Sequence, residues 1–310
     1  MNEMDIYGLG TFAIDVLMKV DKLPGADSFC IIKSTEKQPG GSGTNVIVQC
    51  QRLGADCGFI GCVGDDGIGK EVIDSLVAEG IDTDMMYMKD GTITLHTDIV
   101  IDNQGDKFIM LNMGNSFCSL EKDQINEEAI AGAKVLYTDM IPFEQSLYAL
   151  QLAKKHGVKT VFNMQVGMDT MAGLGCTKED ILAALKYVDV FAPCQEGLYA
   201  LTGTEDLDEC AKILRPYCDG ILIFTLGRNG SVAYDAEDKK HRAECVSVEA
   251  TDSTGAGDSY IGSFMCAYYL RGYDLDKSMR FASTCAAYTC TGIGARFSPT
   301  AEIADTMFAG

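Results

Sequence analysis

GGSGTNVIVQCQRLGADCGFIGCVGDDGIGKE, residues 40–71, is the stretch that decides the fold. A glycine-rich turn opens a periodic helical run, TNVIVQCQRLG, which ends on Gly54 as helices prefer. CGFIGCVG (57–64) is apolar throughout and too short for a helix, so it reads as a buried strand. GDDGIG then turns the chain into a second helical run, GKEVIDSLVAEG. Helix, strand and helix joined by tight glycine turns are the unit of a parallel sheet covered on both faces.

The same alternation extends along the chain. Strands are expected at DIYGLG (5–10), KVLYTD (134–139), VKTVFN (158–163), YVDVFAP (187–193) and GILIFTLG (220–227). Helical runs such as EQSLYALQLAKKHG, KEDILAALKY and DLDECAKILRP lie between them. Two stretches break the pattern. Residues 12–38 are rich in β-branched residues without a helical period, and 91–112 alternate and turn at Asn103-Gln104-Gly105 as a hairpin does. The expectation is one α/β domain over 1–310, with a small β-flap from about 12–38 and 91–112.

Composition narrows the function. A net charge of −20 disfavours nucleic acid and anionic membrane as partners. It equally opposes an anionic nucleotide, so any phosphate site must be built from local dipoles and a cation. No apolar run is long enough to span a membrane, and MNEMDIYGLG lacks a basic-then-apolar signal pattern, so a soluble cytoplasmic protein is expected. The 13 cysteines contain no CxxC pair and read as free, mostly buried thiols. His96, His156 and His241 are too scattered to suggest a zinc site or a serine-type triad.

Four glycine-rich signals compete for a phosphate. GLGTFA (8–13) fits a dinucleotide fingerprint, but the helix that should follow is missing. GDDGIGKE (64–71) nearly spells a P-loop, yet Glu71 stands where a hydroxyl should meet magnesium, and two aspartates would face the phosphates. It reads as a turn before a helix. GGSGTN (40–45) lets the backbone approach a ligand closely, and Asn45 offers a donor and an acceptor; an ordinary glycine turn is the competing reading. TDSTGAGDS (251–259) is the strongest signal. Gly255, Ala256 and Gly257 can aim successive amides into one space with a helix dipole behind them. Asp258 then places a carboxylate beside that anion hole, where a simple cap would not need three tiny residues.

GG-x-x-x-N (Gly40, Gly41, Asn45), RLG (52–54), VGDDGIG (63–69) and DSTGAGD (252–258) together resemble the signatures of the PfkB carbohydrate kinases, over the whole chain. The resemblance implies a ribokinase-like three-layer α/β/α fold with a mostly parallel central sheet and a small β-sheet lid. It implies an enzyme that phosphorylates a hydroxyl of a small neutral sugar or polyol with ATP. Asp258 would be the general base, and the amides at 255–257 the anion hole for the migrating phosphoryl group. Asp15, Gly40, Gly41 and Asn45 would bind sugar hydroxyls, while Thr225, Gly227 and Gly230 of TLGRNG, with Gly257, would contact ATP. A monovalent cation, usually potassium, would lie at Asp252, Thr254, Thr289, Gly292, Gly294 and Ser298. The family's N-x-x-E motif, which organises Mg2+ and phosphate, falls on APCQEG: Cys194 replaces its asparagine and Gly197 its glutamate, leaving Gln195 and Glu196 as substitutes. Ser42 stands where ribokinases carry lysine, and Met140 where they carry a glutamate; both argue against ribose. No lysine or arginine accompanies the substrate-side motifs, which disfavours a phosphosugar. A nucleoside kinase of the same fold, or a sugar or nucleotide sensor that has lost turnover, are the alternatives. The resemblance and the exposed flap edge also imply a homodimer through the lid.

Overall fold

The computed structural model describes residues 4–309. The chain passes through β1 (Ile6–Leu9), β2 (Ala13–Lys19), β3 (Ser34–Gly40), β4 (Cys57–Gly64), β5 (Asp82–Lys89), β6 (His96–Ile101) and β7 (Lys107–Asn112). It continues through β8 (Val135–Thr138), β9 (Lys159–Met164), β10 (Val190–Pro193), β11 (Ile221–Thr225), β12 (Ser231–Tyr234) and β13 (Lys240–Ala243). Nine strands form one sheet in the order β13-β12-β11-β10-β9-β8-β1-β4-β5. Neighbours from β10–β11 through β4–β5 are parallel, and β12 and β13 extend the sheet antiparallel. All six expected strands fall in this sheet. β5, β12 and β13 were not foreseen: DTDMMYMK and KHRA are polar edge segments without a clean apolar alternation.

The sheet's interior explains its sequence. β1, β4, β8 and β10 are buried at every residue, so they carry apolar runs rather than an alternating pattern. The order reverses beside β1, with β4 on one flank and β8 on the other. Ligands of open α/β sheets bind outside the strand ends at such a reversal.

The two pattern-breaking stretches form a second sheet, ordered β3-β2-β6-β7. β2 and β6 are parallel, and the flanking pairs are antiparallel. The β6–β7 turn falls at the expected Asn103-Gln104-Gly105: Asp102 accepts the amides of Gln104 and Asp106, and Gly105 has φ +87°. β3 ends at Gly40, so the second sheet runs directly into the helix Ser42–Arg52.

That helix and the helix Ala256–Met265 lie side by side and run in the same direction. Asn45 meets Asp258, Gln49 donates to Ser263 at 3.0 Å, and the Cys50 thiol reaches the Gly262 carbonyl at 3.4 Å. Gly262 allows the contact, since a Cβ there would sit 2.7 Å from the Val46 carbonyl oxygen. Both N-termini therefore open at the same place, and both dipoles present their positive ends there.

Candidate active site

The glycines at 40, 41 and 43 are required by the chain packed against them. A Cβ on Gly40 would lie 2.7 Å from an Asp15 carboxylate oxygen, and one on Gly41, at φ +87°, would lie 2.4 Å from the Phe12 Cα. One on Gly43 would strike the Thr11 backbone at 2.7 Å. Thr11 knits this region together: its hydroxyl accepts the Gly43 amide at 3.1 Å and donates to Asp139 at 2.6 Å. Asp139 also accepts the amides of Thr11 and Ile141. Its burial pushes the carboxyl up to about 6, against those hydrogen bonds.

Asp258 is buried at the floor where the two helix starts meet, 7% exposed. It accepts a hydrogen bond from the Ser42 hydroxyl and one from the Asn45 amide at 2.9 Å. Burial pushes its carboxyl from 3.8 to about 6; Ser42 and Asn45 oppose the shift, Asp139 adds to it and Arg296 counters it. The carboxylate is thus oriented by residues of the glycine-rich helix start rather than lost in the core.

Arg296, like Asp139, is a residue of this site that sequence reasoning missed. Its guanidinium donates to Asn45 Oδ1 at 3.1 Å, to Thr44 Oγ1 at 3.1 Å, and to Ser75 and the Gly40 carbonyl. Burial lowers its pKa to about 10, while Glu79, Asp15 and Asp258 oppose that shift. A half-buried cation therefore does accompany the substrate-side motifs, contrary to the expectation. Every one of its nitrogens is engaged by the protein, so it holds Asn45 rather than reaching for a phosphate. Nothing local in GARFSP signals this role. Arg52 of RLG acts beside it, pairing with Glu79 through two nitrogens and holding the carbonyl of Arg296.

Asp15 lies on β2 opposite Gln38 of β3 and Thr97 of β6. Burial raises its carboxyl above the ordinary range, with Thr97 and Arg296 opposing. The period of two puts Asp15, Gln38 and Thr97 on one face of the second sheet.

The anion hole differs in detail from the expectation of three open amides. Gly255 has φ +78°, and a Cβ there would meet the Ala295 carbonyl at 2.2 Å. The Ala256 amide is already used, donating to the Ser253 carbonyl at 3.2 Å. Among the described residues, the amides of Gly255, Gly257 and Asp258 have no protein acceptor. A Cβ on Gly257 would meet nothing within 4 Å, so that position opens onto free space. The space is a cavity of about 980 Å³ lined by Ala256 and Gly257 together with Thr225, Gly227 and Gly230. The expected nucleotide residues and the helix start thus share one cavity, of a size suited to a nucleotide.

The expected cation residues come together in part. Asp252 accepts the Thr254 amide and hydroxyl on one oxygen and the Gly294 amide, at 3.0 Å, on the other. Thr289 turns its hydroxyl to the Cys285 carbonyl, and Gly292 lies under the Phe297 ring. Ser298 faces Arg52 with both hydroxyl and carbonyl, at 3.3 and 3.4 Å, so a guanidinium already occupies its oxygens. Cys194 caps the helix Gln195–Thr202, its sulfur accepting the Gly197 amide at 3.3 Å. The thiol thus serves as the helix cap at the position where the resemblance implies asparagine. Glu196 packs against Gly167, where a Cβ would sit 2.3 Å from its carboxylate, while Gln195 lines the cavity.

Fold and site together define a ribokinase-like α/β protein with a buried carboxylate beside the open amides of a helix start. Residues 4–302 match the pfkB family carbohydrate kinase model, and the chain belongs to that family of kinases. It is 29% identical over 303 residues to the 5-dehydro-2-deoxygluconokinase of Clostridium perfringens, covering 92% of this chain and 86% of that one. It is 30% identical over 272 residues to the ribokinase of Mus musculus, covering 84% and 80%. The ribokinase structure from Thermotoga maritima superposes with a TM-score of 0.84 at 23% identity, covering 99% of this chain and 100% of that chain.

Proposed function

We propose that this kinase transfers the γ-phosphoryl group of ATP to a hydroxyl of a small neutral sugar or polyol, with Asp258 as the general base. The observation that carries the proposal is the Asp258 carboxylate, held by Ser42 and Asn45 one residue from the free Gly257 amide at the cavity wall. The acceptor hydroxyl lies between acid and phosphate and passes its proton to Asp258 as its oxygen attacks phosphorus. The amides of Gly255, Gly257 and Asp258, with two aligned helix dipoles, face the charge gathering on the transferred group. Asp15 and Asn45 hold the remaining hydroxyls; a carboxylate and an amide suit a polyol because they accept or share several hydrogen bonds. Thr225, Gly227 and Gly230 line the ATP side. The four-stranded sheet acts as the lid over the acceptor.

Two ions belong to this proposal. Mg2+ keeps much of its shell from water and substrate phosphates, so the single carboxylate of Glu196 suits it, and it would neutralise phosphate charge. A potassium ion suits the oxygens around Asp252, Thr254 and Gly294, which join a carboxylate to a loop beside the anion site. The lid also supports a homodimer. Phe108, Ile109, Met110 and Leu111 of the edge strand β7 are each at least half exposed, an apolar edge that a second copy would cover. Among the described residues no helix is long and apolar enough to cross a membrane, in keeping with a cytoplasmic enzyme.

The deciding experiment is a screen of neutral sugars, polyols and nucleosides for ATP consumption, with the new phosphate located by 31P NMR. Turnover of nucleosides alone would move the assignment to a nucleoside kinase. Binding of a sugar without turnover would make the protein a sensor.

A further inference from the structure

The two oxygens of Asp258 meet donors of different kinds. Oδ2 accepts the Asn45 amide, whose orientation is fixed because Arg296 donates to its Oδ1 at 3.1 Å. An amide nitrogen gives a hydrogen bond but takes no proton in return, so that side of the carboxylate is closed to proton transfer. Oδ1 accepts the Ser42 hydroxyl, a group that can both give and take. A serine at a helix start ordinarily serves the local backbone. Here the Thr11 hydroxyl and carbonyl accept the amides of Gly43 and Thr44, and the N-cap is Gly41. Ser42 is thereby free to reach a carboxylate 216 residues away on the neighbouring helix. Among the described residues nothing donates to the Ser42 oxygen, so its lone pairs stay open. Asp258 is buried and Ser42 only half-buried, which makes the hydroxyl the more accessible end of the pair.

We propose that Ser42 is a catalytic relay: the acceptor alcohol gives its proton to the Ser42 oxygen while Ser42 gives its own to Asp258 Oδ1. The relay rests on the reading of Asp258 as general base for ATP-dependent phosphorylation of a sugar or polyol. As the alcohol oxygen bonds to the γ-phosphorus, the bond from that phosphorus to ADP breaks and ADP leaves with the electron pair. The alcohol's O–H bond breaks in the same step, and its proton forms a new O–H bond on Ser42. The original Ser42 proton passes to the carboxylate. Ser42 ends neutral, as it began, and Asp258 ends as the neutral acid, which returns its proton to solvent by the reverse path. Burial raises the Asp258 carboxyl, and the Ser42 hydrogen bond is the first of the contacts that oppose it, so the same bond favours the ionised, accepting form. Lysine, which the resemblance gives to ribokinases at this position, could not act this way, because an ammonium has no lone pair to offer. The relay therefore belongs to the serine of this chain.

The test compares the full-length wild type, S42A and S42T in single-turnover experiments with Mg-ATP and the alcohol best turned over in the screen. Rates are taken across pH and in mixtures of light and heavy water. S42A should slow the chemical step by about 10²-fold or more, with ATP affinity and Tm near those of the wild type. S42T, which keeps a hydroxyl, should recover most of that loss. With two protons in flight, the wild-type rate should fall along a bowed curve as the deuterium fraction rises, and the S42A rate along a straight line. The acid limb of the S42A profile should lie at higher pH, since a bond favouring the ionised carboxylate is gone. An S42A rate within about threefold of the wild type overturns the relay. A straight wild-type line overturns it too, and that measurement needs no variant to fold. Asp258→Asn separates the two readings: an inactive D258N beside a fully active S42A leaves the base and removes the relay. An active D258N, or a protein that turns over no alcohol, removes the base and the relay with it.

Discussion

Replacing Asp258 by Asn should cost nearly all activity while making the protein more stable at alkaline pH. The carboxyl moves from 3.8 to about 6 on burial, which corresponds to about 3 kcal/mol of preference for the neutral acid at ~1.4 kcal/mol per tenfold. Because the folded value is raised, the stabilisation is fully present below the unfolded value near 3.8 and lost as pH rises through about 6. At pH 8 the wild type therefore carries a buried charge that the variant lacks. The new amide can keep both hydrogen bonds, since the Ser42 hydroxyl can accept instead of donate and Asn45 still finds an oxygen. Urea unfolding at pH 8 should show the variant about 1–3 kcal/mol more stable, with the advantage gone near pH 4. Turnover, followed by ADP release on an accepted sugar, should fall by about 10²–10⁴-fold with little change in ATP affinity. Near wild-type turnover would falsify the general-base assignment. An equal loss of stability at both pH values would refute the electrostatic reasoning.

Other outcomes follow from the same geometry. Arg296→Met removes a charge that favours ionised Asp258, so the acid limb of the kcat/KM profile should move to higher pH; an unmoved limb would show that the two groups are not coupled in function. Gly257→Val adds a side chain where space is open, so ATP affinity should fall about tenfold or more with Tm almost unchanged, as calorimetry and thermal melts can check. Gly255→Ala meets a carbonyl at 2.2 Å from a left-handed backbone, so its cost should be in stability, about 1–3 kcal/mol by urea titration. Exchanging sodium for potassium should raise turnover; identical rates would remove the cation assignment. Met110→Asp should shift sedimentation at micromolar concentration from dimer to monomer, and a wild type that is monomeric already would dispose of the lid interface.

Much of this protein was legible because function and folding place different residues at the same motifs. Glycines at 41, 43 and 255 are demanded by close backbone contacts, and the polar residues beside them, Asn45 and Asp258, carry no such obligation. Tiny residues beside an acid were therefore readable as chemistry. Arg296 was not readable, because its partners Asn45, Thr44 and Ser75 lie more than two hundred residues away and meet it only through tertiary packing. Asp139 escaped for a subtler reason. Met140 was matched to the family's acid, while the carboxylate one residue earlier turns back to the Thr11 loop. The engaged Ala256 amide could not be anticipated either, since tiny size permits an open amide without ensuring one.

The contact at Gly262 has a bearing on how such an enzyme can change its diet. The elements that carry acceptor and donor are fastened to each other in the interior, so the gap a phosphorus atom must cross is set far from the mouth of the site. On the proposed reading, strands of the lid can then exchange residues to admit a different alcohol while Asn45 and the anion site keep their spacing. New substrates can be acquired at the rim without rebuilding the reaction beneath it.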